Sequence, residues 1–194
     1  MKVLVTGGNR GLGKHLVDAF KGKSISRAND LDITKHCQDI ANVSLDYDIF
    51  INNAFDGPPQ EAWANFGQRH VLEAVYDAWS KNNKKGYIYN IGSVGEKSIV
   101  AREPSFETYR VAKAALAHAS KQCTASFKAN LVPFKTTLIT LDRLDTELSR
   151  SRTNWTGNGI NLNDVLNFIN FTQKIDTNTC IEEIIFYCNL DYKA

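Results

Sequence analysis

The clearest indication of the fold is the glycine-rich segment TGGNRGLG, Thr6–Gly13. It follows the short apolar run KVLVT and opens the helix-prone segment GLGKHLVDAF. A turn of this kind can approach a pyrophosphate, because Gly7 permits a tight turn and Gly11 lets the backbone come close to the anion. Gly13 allows the helix to pack on the strand, and amides at the helix N-terminus would face the phosphates. The stretch therefore predicts a nucleotide site, although a tight strand–helix connection without a ligand is the alternative.

Strands and helices alternate along the rest of the chain. Strands are predicted at KVLVT, KSIS, YDIFIN, GYIYNIGS, KTTLITL and EEIIFY, and helices at GLGKHLVDAF and near 34–42, 59–81, 106–130 and 162–174. Such an order is typical of βαβ units in a parallel sheet that is covered on both faces. We expect an α/β fold, a Rossmann-like doubly wound parallel sheet of six or seven strands in three αβα layers. Residues 1–194 are predicted to form a single dinucleotide-binding domain with the catalytic site built in.

The composition excludes several classes of protein. Of 194 residues, 43% are hydrophobic and 23% charged, which is typical of a globular domain, and the net charge of +2 does not favour nucleic acid. No run approaches the roughly 20 apolar residues that span a bilayer. The cysteines lack the spacing of metal ligands or of a disulfide framework, so we expect neither zinc nor disulfides and a cytoplasmic location. They are Cys37, Cys123, Cys180 and Cys188.

The end of the second predicted strand bears on the choice of cofactor. In dinucleotide-binding folds, an acid near this point favours NAD, whereas an arginine accommodates the 2′-phosphate of NADP. This chain has Ser26 and Arg27 there, and Arg10 lies in the glycine turn. Two guanidinium groups near one ribose would form charge-assisted hydrogen bonds to a phosphate. NADP(H) is therefore the preferred cofactor and NAD(H) a possible one, unless both arginines are simply solvated at the surface.

The segment YRVAK places Tyr109 and Lys113 one helical turn apart, on the same face of a predicted helix. A phenol alone titrates near pH ~10, and a fixed cation beside it lowers that value. The pair could therefore be an acid/base whose pKa is adjusted to neutral pH. Two unrelated residues on a solvated helix are the alternative.

Taken in order, these segments resemble the short-chain dehydrogenases/reductases. TGGNRGLG has the spacing TGxxxGxG, and NNAF resembles the motif NNAG that closes the family's fourth strand. LDIT is similar to the family's acidic segment after the third strand, whose aspartate, Asp32 here, lies near the adenine. NIGS places Ser93 at the end of a strand, and YRVAK matches YxxxK. ANFG resembles a helical site of the family, which makes Asn65 the fourth member of a catalytic tetrad with Ser93, Tyr109 and Lys113. The resemblance covers nearly the whole chain.

The resemblance implies a mechanism and a set of cofactor contacts. Tyr109 would exchange a proton with the substrate oxygen, Ser93 would hydrogen-bond that oxygen, and Lys113 would hold the nicotinamide ribose and favour the phenolate. Asn65 would fix a water molecule that links Lys113 to solvent. The implied cofactor contacts are Thr6, Gly7, Asn9, Arg10, Gly11, Leu12, Gly13, Ser26, Arg27, Asp32, Ile33, Asn53, Ala54, Tyr109, Lys113 and Thr146.

Three features depart from the family pattern. Phe55 replaces the glycine of NNAG, which predicts a bulkier wall beside the cofactor. Leu141 and Asp142 replace a proline–glycine pair, although Thr146 falls where the family's threonine contacts the nicotinamide amide. Between Arg27 and Asp32 there is no room for a second crossover helix, so that edge of the sheet is expected to be abbreviated.

The expected function is an oxidoreductase that uses NAD(P) on a small-molecule carbonyl or secondary alcohol. A non-catalytic NAD(P)-binding regulator or redox sensor is the alternative, and a scaffold protein would leave the glycine turn unexplained. The resemblance also implies a homodimer or homotetramer, because helices of this family often pair across a two-fold axis. An alanine-rich face with two tryptophans could form that interface or could simply pack on the sheet; it comprises Ala112, Ala115, Ala119, Trp63 and Trp79.

Overall fold

The computed structural model describes residues 1–55, 66–97, 104–151 and 157–189. Its strands are β1 (Val3–Thr6), β2 (Lys23–Ile25), β3 (Ile49–Asn52), β4 (Gly86–Ser93), β5 (Phe134–Leu141) and β6 (Glu183–Phe186). Its helices are α1 (Gly11–Phe20), α2 (Cys37–Ser44), α3 (Gly67–Lys81), α4 (Pro104–Lys128), α5 (Glu147–Arg150) and α6 (Leu162–Thr172).

The strands form one parallel sheet in the order β2-β1-β3-β4-β5-β6. One row of the register runs from Val5 to Ile51, Tyr89 and Thr137. The predicted Rossmann-like sheet is confirmed with six strands. The abbreviated edge is confirmed too, because β2 is followed only by a 3₁₀ turn at Arg27–Asn29 before the chain reaches α2.

Alternate side chains of the central strands pack into two hydrophobic cores, one on each face of the sheet. Leu4 and Phe50 belong to a core that is covered by α2, α3 and α4. Val5 and Ile51 point the other way, into a core that is covered by α1 and α6. Successive side chains of a strand point to opposite faces, so a central parallel strand is apolar throughout. The two cores confirm the three-layer αβα arrangement.

The helix boundaries differ from the predicted ones mainly at the N-termini. Helix α2 begins three residues later than predicted, at Cys37, and α4 begins at Pro104. Residues 59–65 of the predicted third helix lie outside the described residues, so α3 is seen from Gly67. The short helix α5 was not predicted; it begins after Thr146, whose hydroxyl accepts a hydrogen bond from the Ser149 amide.

In the part of the chain that the structure describes, no helix is long and apolar enough to cross a membrane. No group of three or more histidine, cysteine, aspartate or glutamate side chains that could hold a metal ion occurs among the same residues.

The proposed alanine and tryptophan face is largely buried within the chain itself. Trp79 is fully buried, its ring meets Phe134 edge to face, and its indole N–H donates to the Ser44 hydroxyl. Ala112 and Ala119 are also buried. Packing on the parent sheet therefore accounts for these three residues, as the alternative interpretation had it. Trp63 lies outside the described residues.

Replacing Trp79 by Phe tests this packing. We expect the variant to lose about 1–3 kcal/mol of unfolding free energy, because it removes buried ring atoms and leaves the Ser44 oxygen without its donor. Urea denaturation followed by circular dichroism measures the loss. Leu131→Ala, at a side chain that is 74% exposed, is the control and should change stability by less than about 0.5 kcal/mol. An unchanged urea midpoint for Trp79→Phe would contradict the packing described.

Candidate active site

The glycine turn after β1 has a backbone that requires glycine. Gly7 and Gly11 have φ values of +70° and +55°, in the left-handed region that side chains disfavour. A Cβ atom at Gly13 would collide with the carbonyl oxygen of Gly7. Among the described residues, a Cβ at Gly11 would meet only the Thr146 methyl group, at 3.7 Å, so none of them fills the space over this amide. The turn thus leaves room for a group that approaches the backbone.

Side chains at the ends of β1 and β3 hold this turn in place. The Thr6 hydroxyl accepts hydrogen bonds from the backbone amides of Asn53 and Ala54, each at 2.9 Å. The Asn53 side-chain amide donates to the carbonyl oxygen of Thr6 at 3.0 Å and, more weakly, to that of Gly7 at 3.4 Å. The predicted contacts Thr6, Gly7, Asn53 and Ala54 are therefore brought together at the carboxyl edge of the sheet.

A second polar cluster joins the glycine turn to the end of β2. The Asn9 amide donates to the Ser26 hydroxyl at 2.8 Å, and the Ser24 hydroxyl donates to Asn9 at 3.1 Å. The Ser26 hydroxyl in turn donates to the side chain of Asn29 at 2.8 Å. Arg27 is exposed beside this cluster. Asn9 and Ser26 are therefore bonded to each other with Arg27 next in the chain, and their place around a ribose stays a prediction.

Asp32 follows this cluster, and its carboxylate is already bonded. It accepts hydrogen bonds from the backbone amide and the hydroxyl of Thr34, both at 2.8 Å. Partial burial acts to raise the pKa of Asp32, but the two bonds from Thr34 and the charges of Arg27 and Lys35 outweigh it and lower that pKa. Asp32 is thus ionised at neutral pH, and its charge faces that of Arg27.

The end of β4 meets the first turns of α4. Ser93 is the last residue of β4, and its hydroxyl accepts a hydrogen bond from the Gly95 amide at 3.2 Å. The Arg110 guanidinium donates to the carbonyl oxygen of Gly95 at 3.2 Å. The 3₁₀ turn after Ser93 is thereby joined to the helical turn that carries Tyr109.

Lys113 lies beneath this junction and is buried, with only 4% of its surface exposed. Its ammonium group donates to the carbonyl oxygen of Ile91 in β4 and to the side-chain oxygen of Gln68 in α3, both at 2.8 Å. Burial lowers the pKa of Lys113 to about 7, although the charge of Glu96 opposes this shift. This lysine can therefore exchange its proton near neutral pH.

Two aromatic rings lie close to the ammonium group of Lys113. The Nζ atom of Lys113 lies 5.1 Å from the ring centroid of Phe55 and 5.8 Å from that of Tyr109. The two rings meet edge to face, with centroids 4.9 Å apart. The bulky wall that the sequence predicts at Phe55 is thus the surface on which the Tyr109 ring packs.

Gln68 is a site residue that the sequence analysis missed. Its side chain is buried, with the amide bonded to Asn52, Ile91 and Lys113. A signal was available, because Gln68 shares the helical spacing of the apolar residues that α3 buries, such as Val71. A polar residue on an apolar helix face indicates a buried polar partner.

A network of charged side chains near the end of β4 was also not predicted from the sequence. Glu183 of β6 binds Lys97 at 3.0 Å and Lys121 at 2.9 Å, and it accepts a hydrogen bond from the Thr140 hydroxyl at 2.8 Å. Glu96 is nearly buried 3.5 Å from Lys97, and burial raises its pKa despite that cation. These groups join β6 to the turn after β4. Sequence spacing could not show them, since they lie far apart along the chain.

Among known proteins, this chain has matches at the level of the fold. The sequence matches no protein-family model and no curated protein. Among solved structures, a β-ketoacyl-[ACP] reductase from Bacteroides thetaiotaomicron superposes with a TM-score of 0.68 at 20% identity, covering 95% of each chain. A short-chain dehydrogenase from Burkholderia cenocepacia in complex with NADP gives 0.68 at 20% identity over 95% of this chain and 86% of that one. A 3-ketoacyl-(acyl-carrier-protein) reductase from Brucella melitensis complexed with NADH gives 0.72 at 14% identity over 95% and 96%.

The chain has the fold of the short-chain dehydrogenases/reductases.

The remaining predicted residues have definite places in this dehydrogenase/reductase fold. The side chains of Leu12 and Ile33 are buried in the two cores, so only their backbone groups could face a cofactor. Arg10 is exposed and precedes α1. Thr146 caps α5 and faces Gly11 across the open space. Asn65 lies outside the described residues, so its place in the tetrad stays a prediction.

The buried lysine predicts a pH dependence of stability. Its pKa falls from 10.5 in the unfolded chain to about 7 in the fold, so between these values the unfolded chain binds the extra proton. Stability contributed by this site therefore rises with pH from about 7 to 10.5. Lys113→Met should stabilise the protein relative to wild type most at low pH, and this difference should shrink as the pH rises.

Urea denaturation at about pH 6, 8 and 10 measures the difference. Lys128→Met, at an exposed lysine of the same helix, is the control and should run parallel to wild type at every pH. A difference between Lys113→Met and wild type that does not change with pH would show that Lys113 titrates as an exposed lysine does.

Proposed function

We propose that the protein is an NAD(P)-dependent oxidoreductase, with NADPH preferred, that reduces a carbonyl compound or oxidises a secondary alcohol. The observation that carries the proposal is that Lys113 bonds to Ile91 near the end of β4 and lies beside the Tyr109 ring, at the sheet edge where the glycine turn also lies. Open α/β sheets bind their ligands at this edge. The four cysteines are free thiols, which supports the cytoplasm as the location.

The residues of the glycine turn fit a dinucleotide. The open space over Gly11 and the absence of side chains at Gly7 and Gly13 suit a pyrophosphate at the N-terminus of α1. Asn9, Ser26 and Arg27 would hold the adenosine ribose, and Lys113 the nicotinamide ribose. A nicotinamide cofactor, when bound, supplies or accepts the hydride. The structural neighbours in complex with NADP and with NADH support this class of cofactor.

The protein's own groups handle the proton and the charge. Tyr109 would donate its phenolic proton to the carbonyl oxygen in the reduction and take it back in the oxidation. The Ser93 hydroxyl, which already accepts a hydrogen bond from Gly95, would donate to the same oxygen. A protonated Lys113 beside the Tyr109 ring would stabilise the phenolate.

The preference for NADP rests on the end of β2. Arg27 is exposed there, and Arg10 is exposed in the adjoining turn. Asp32, the predicted acidic contact, has its carboxylate bonded to Thr34 and interacts with the charge of Arg27, so it is less available to ribose hydroxyls. Two exposed cations and an acid that is already hydrogen-bonded favour a 2′-phosphate.

One observation favours a second function. The Phe55 ring packs against both Tyr109 and Lys113, where the family pattern has a glycine. A ring in this position narrows the space beside the reacting groups. The same fold could therefore act as a non-catalytic NAD(P)-binding regulator or redox sensor, and only turnover distinguishes the two functions.

The enzymatic proposal predicts a large effect of Tyr109→Phe. The purified protein should oxidise NADPH in the presence of one or more members of a panel of ketones and aldehydes, followed by absorbance of the reduced nicotinamide. Tyr109→Phe should lower kcat about 100-fold or more, because it removes the proton donor but keeps the ring. Tyr187→Phe, at an exposed tyrosine, should retain wild-type turnover. Saturable NADPH binding without any turnover would favour the regulator, and turnover that survives Tyr109→Phe would refute the mechanism.

The cofactor preference is tested by Arg27→Ala. A lost charge-assisted bond to the 2′-phosphate should raise the Kd for NADPH about 10-fold or more and leave the Kd for NADH within about 2-fold. Fluorescence titration with both cofactors measures the two constants. Arg69→Ala, at an exposed arginine of α3 paired with Glu73, serves as the control. Equal losses for the two cofactors would contradict a 2′-phosphate contact.

A further inference from the structure

We propose that Gln68 is a positioning residue that fixes the Lys113 ammonium group in the active site and leaves one of its N–H donors for the cofactor. The consequence for catalysis rests on the function proposed above. The contact itself can be tested on the protein without any cofactor.

The orientation of the Gln68 amide is determined by its surroundings. Its NH₂ group donates to the carbonyl oxygen of Asn52 at 2.7 Å and to that of Ile91 at 3.2 Å. Both acceptors lie at the carboxyl ends of strands, so the amide bridges β3 and β4. With its nitrogen held in this way, the side-chain oxygen must face the other direction, where Lys113 lies 2.8 Å away. The amide cannot rotate without losing bonds on both sides.

Further buried hydrogen bonds hold Gln68 in place. The Asn52 side chain donates to the backbone carbonyl of Gln68 at 2.8 Å and to the side chain of Asn90 at 3.0 Å. Asn90 donates to the Ser120 hydroxyl on α4 at 3.1 Å. The three amide side chains and the serine are all buried. Strands β3 and β4 and helices α3 and α4 are thus joined through one polar network, and Lys113 lies at its end.

A count of donors shows what the lysine can still do. An ammonium group has three N–H donors and no acceptor. Gln68 and Ile91 accept two of them. The Phe55 and Tyr109 rings also lie near the same group, with centroids 5.1 and 5.8 Å from its nitrogen. Counting the residues that the structure describes, one donor therefore remains for a hydroxyl acceptor such as that of a ribose, at a position that the bond to Gln68 determines.

Among the described residues, four side chains interact with the ammonium group of Lys113. Helix α3 presents the neutral amide of Gln68, and the segment after β3 presents the Phe55 ring. Its own helix presents Tyr109, and the turn after β4 contributes the charge of Glu96. Gln68 is thus the side chain that hydrogen-bonds the ammonium directly among the residues that the structure describes. Changing its charge or its acceptor should change the titration of Lys113 in a defined direction.

The test follows the titration of Lys113 by NMR in protein that carries ¹³C at the lysine ε carbons, with the resonance assigned by its loss in Lys113→Met. Gln68→Met keeps the length of the side chain but removes the acceptor, so the titration midpoint should move down by about 1 pH unit or more. Gln68→Glu keeps an oxygen and adds a negative charge, so the midpoint should move up by a similar amount. Gln122→Met, at an exposed glutamine of α4, should leave it unchanged.

Opposite shifts in Gln68→Met and Gln68→Glu support the proposal, since a purely structural role would not reverse direction with the charge. Equal midpoints, or shifts in the same direction, overturn it. Should Gln68→Met fail to fold, Gln68→Glu decides alone: an upward shift supports the contact and an unchanged midpoint overturns it.

The catalytic consequence is measured separately. In the active enzyme, Gln68→Met should lower kcat about 10- to 100-fold, since a misplaced group in an active site costs this much, while KM for the carbonyl substrate stays within about 2-fold. An unchanged kcat overturns the role in catalysis. Absence of turnover in the wild type would instead count against the proposed function, and the NMR titration would still decide whether Gln68 positions the lysine.

Discussion

Side chains, rather than the backbone ladder, hold together the carboxyl ends of the central strands, and the site depends on this constraint. Where parallel strands stop pairing, their last amides and carbonyls are buried and must find other partners. The Thr6 hydroxyl and the Asn53 amide satisfy those at the ends of β1 and β3. Asn52 does so between β3, β4 and α3. The glycine turn and the β4 edge are thereby held in one arrangement without any ligand.

The same arrangement explains how a cation can be buried in a domain of this size. An isolated charge in the interior is strongly unfavourable, and a lysine there responds by losing its proton more easily. The ammonium group of Lys113 donates to two oxygens and lies near two aromatic rings. The charge of Glu96 opposes the effect of burial on its pKa, so both protonation states are accessible near neutral pH. A group that can change protonation state near neutral pH is typical of functional sites, where such shifts cluster.

Much of the fold could be predicted because its signals are local. The glycine turn, the apolar strands and the helix periodicity each lie within a few residues, and the missing crossover followed from there being only six residues between β2 and Asp32. Contacts between distant segments were harder to predict. The Phe55 substitution indicated a bulky wall, yet nothing in NNAF showed that its ring would meet Tyr109. Gln68 was not predicted because the family pattern points to Asn65 instead. The position of Gln68 on the apolar face of α3 nevertheless indicated a buried polar partner.

The order of the elements, the parallel sheet with its short edge and the residue types available for dinucleotide chemistry could all be predicted from the chain, since they depend on periodicity, turn geometry and side-chain chemistry. Which of those residues meet follows from the packed fold. It placed Lys113 on Gln68 and Ile91, packed Trp79 into the core instead of leaving it at a surface, and joined Glu183 to the turn beside Ser93. The physical reason is that such contacts join segments from different strands and helices, and their distances are set by how the layers pack rather than by spacing along the chain.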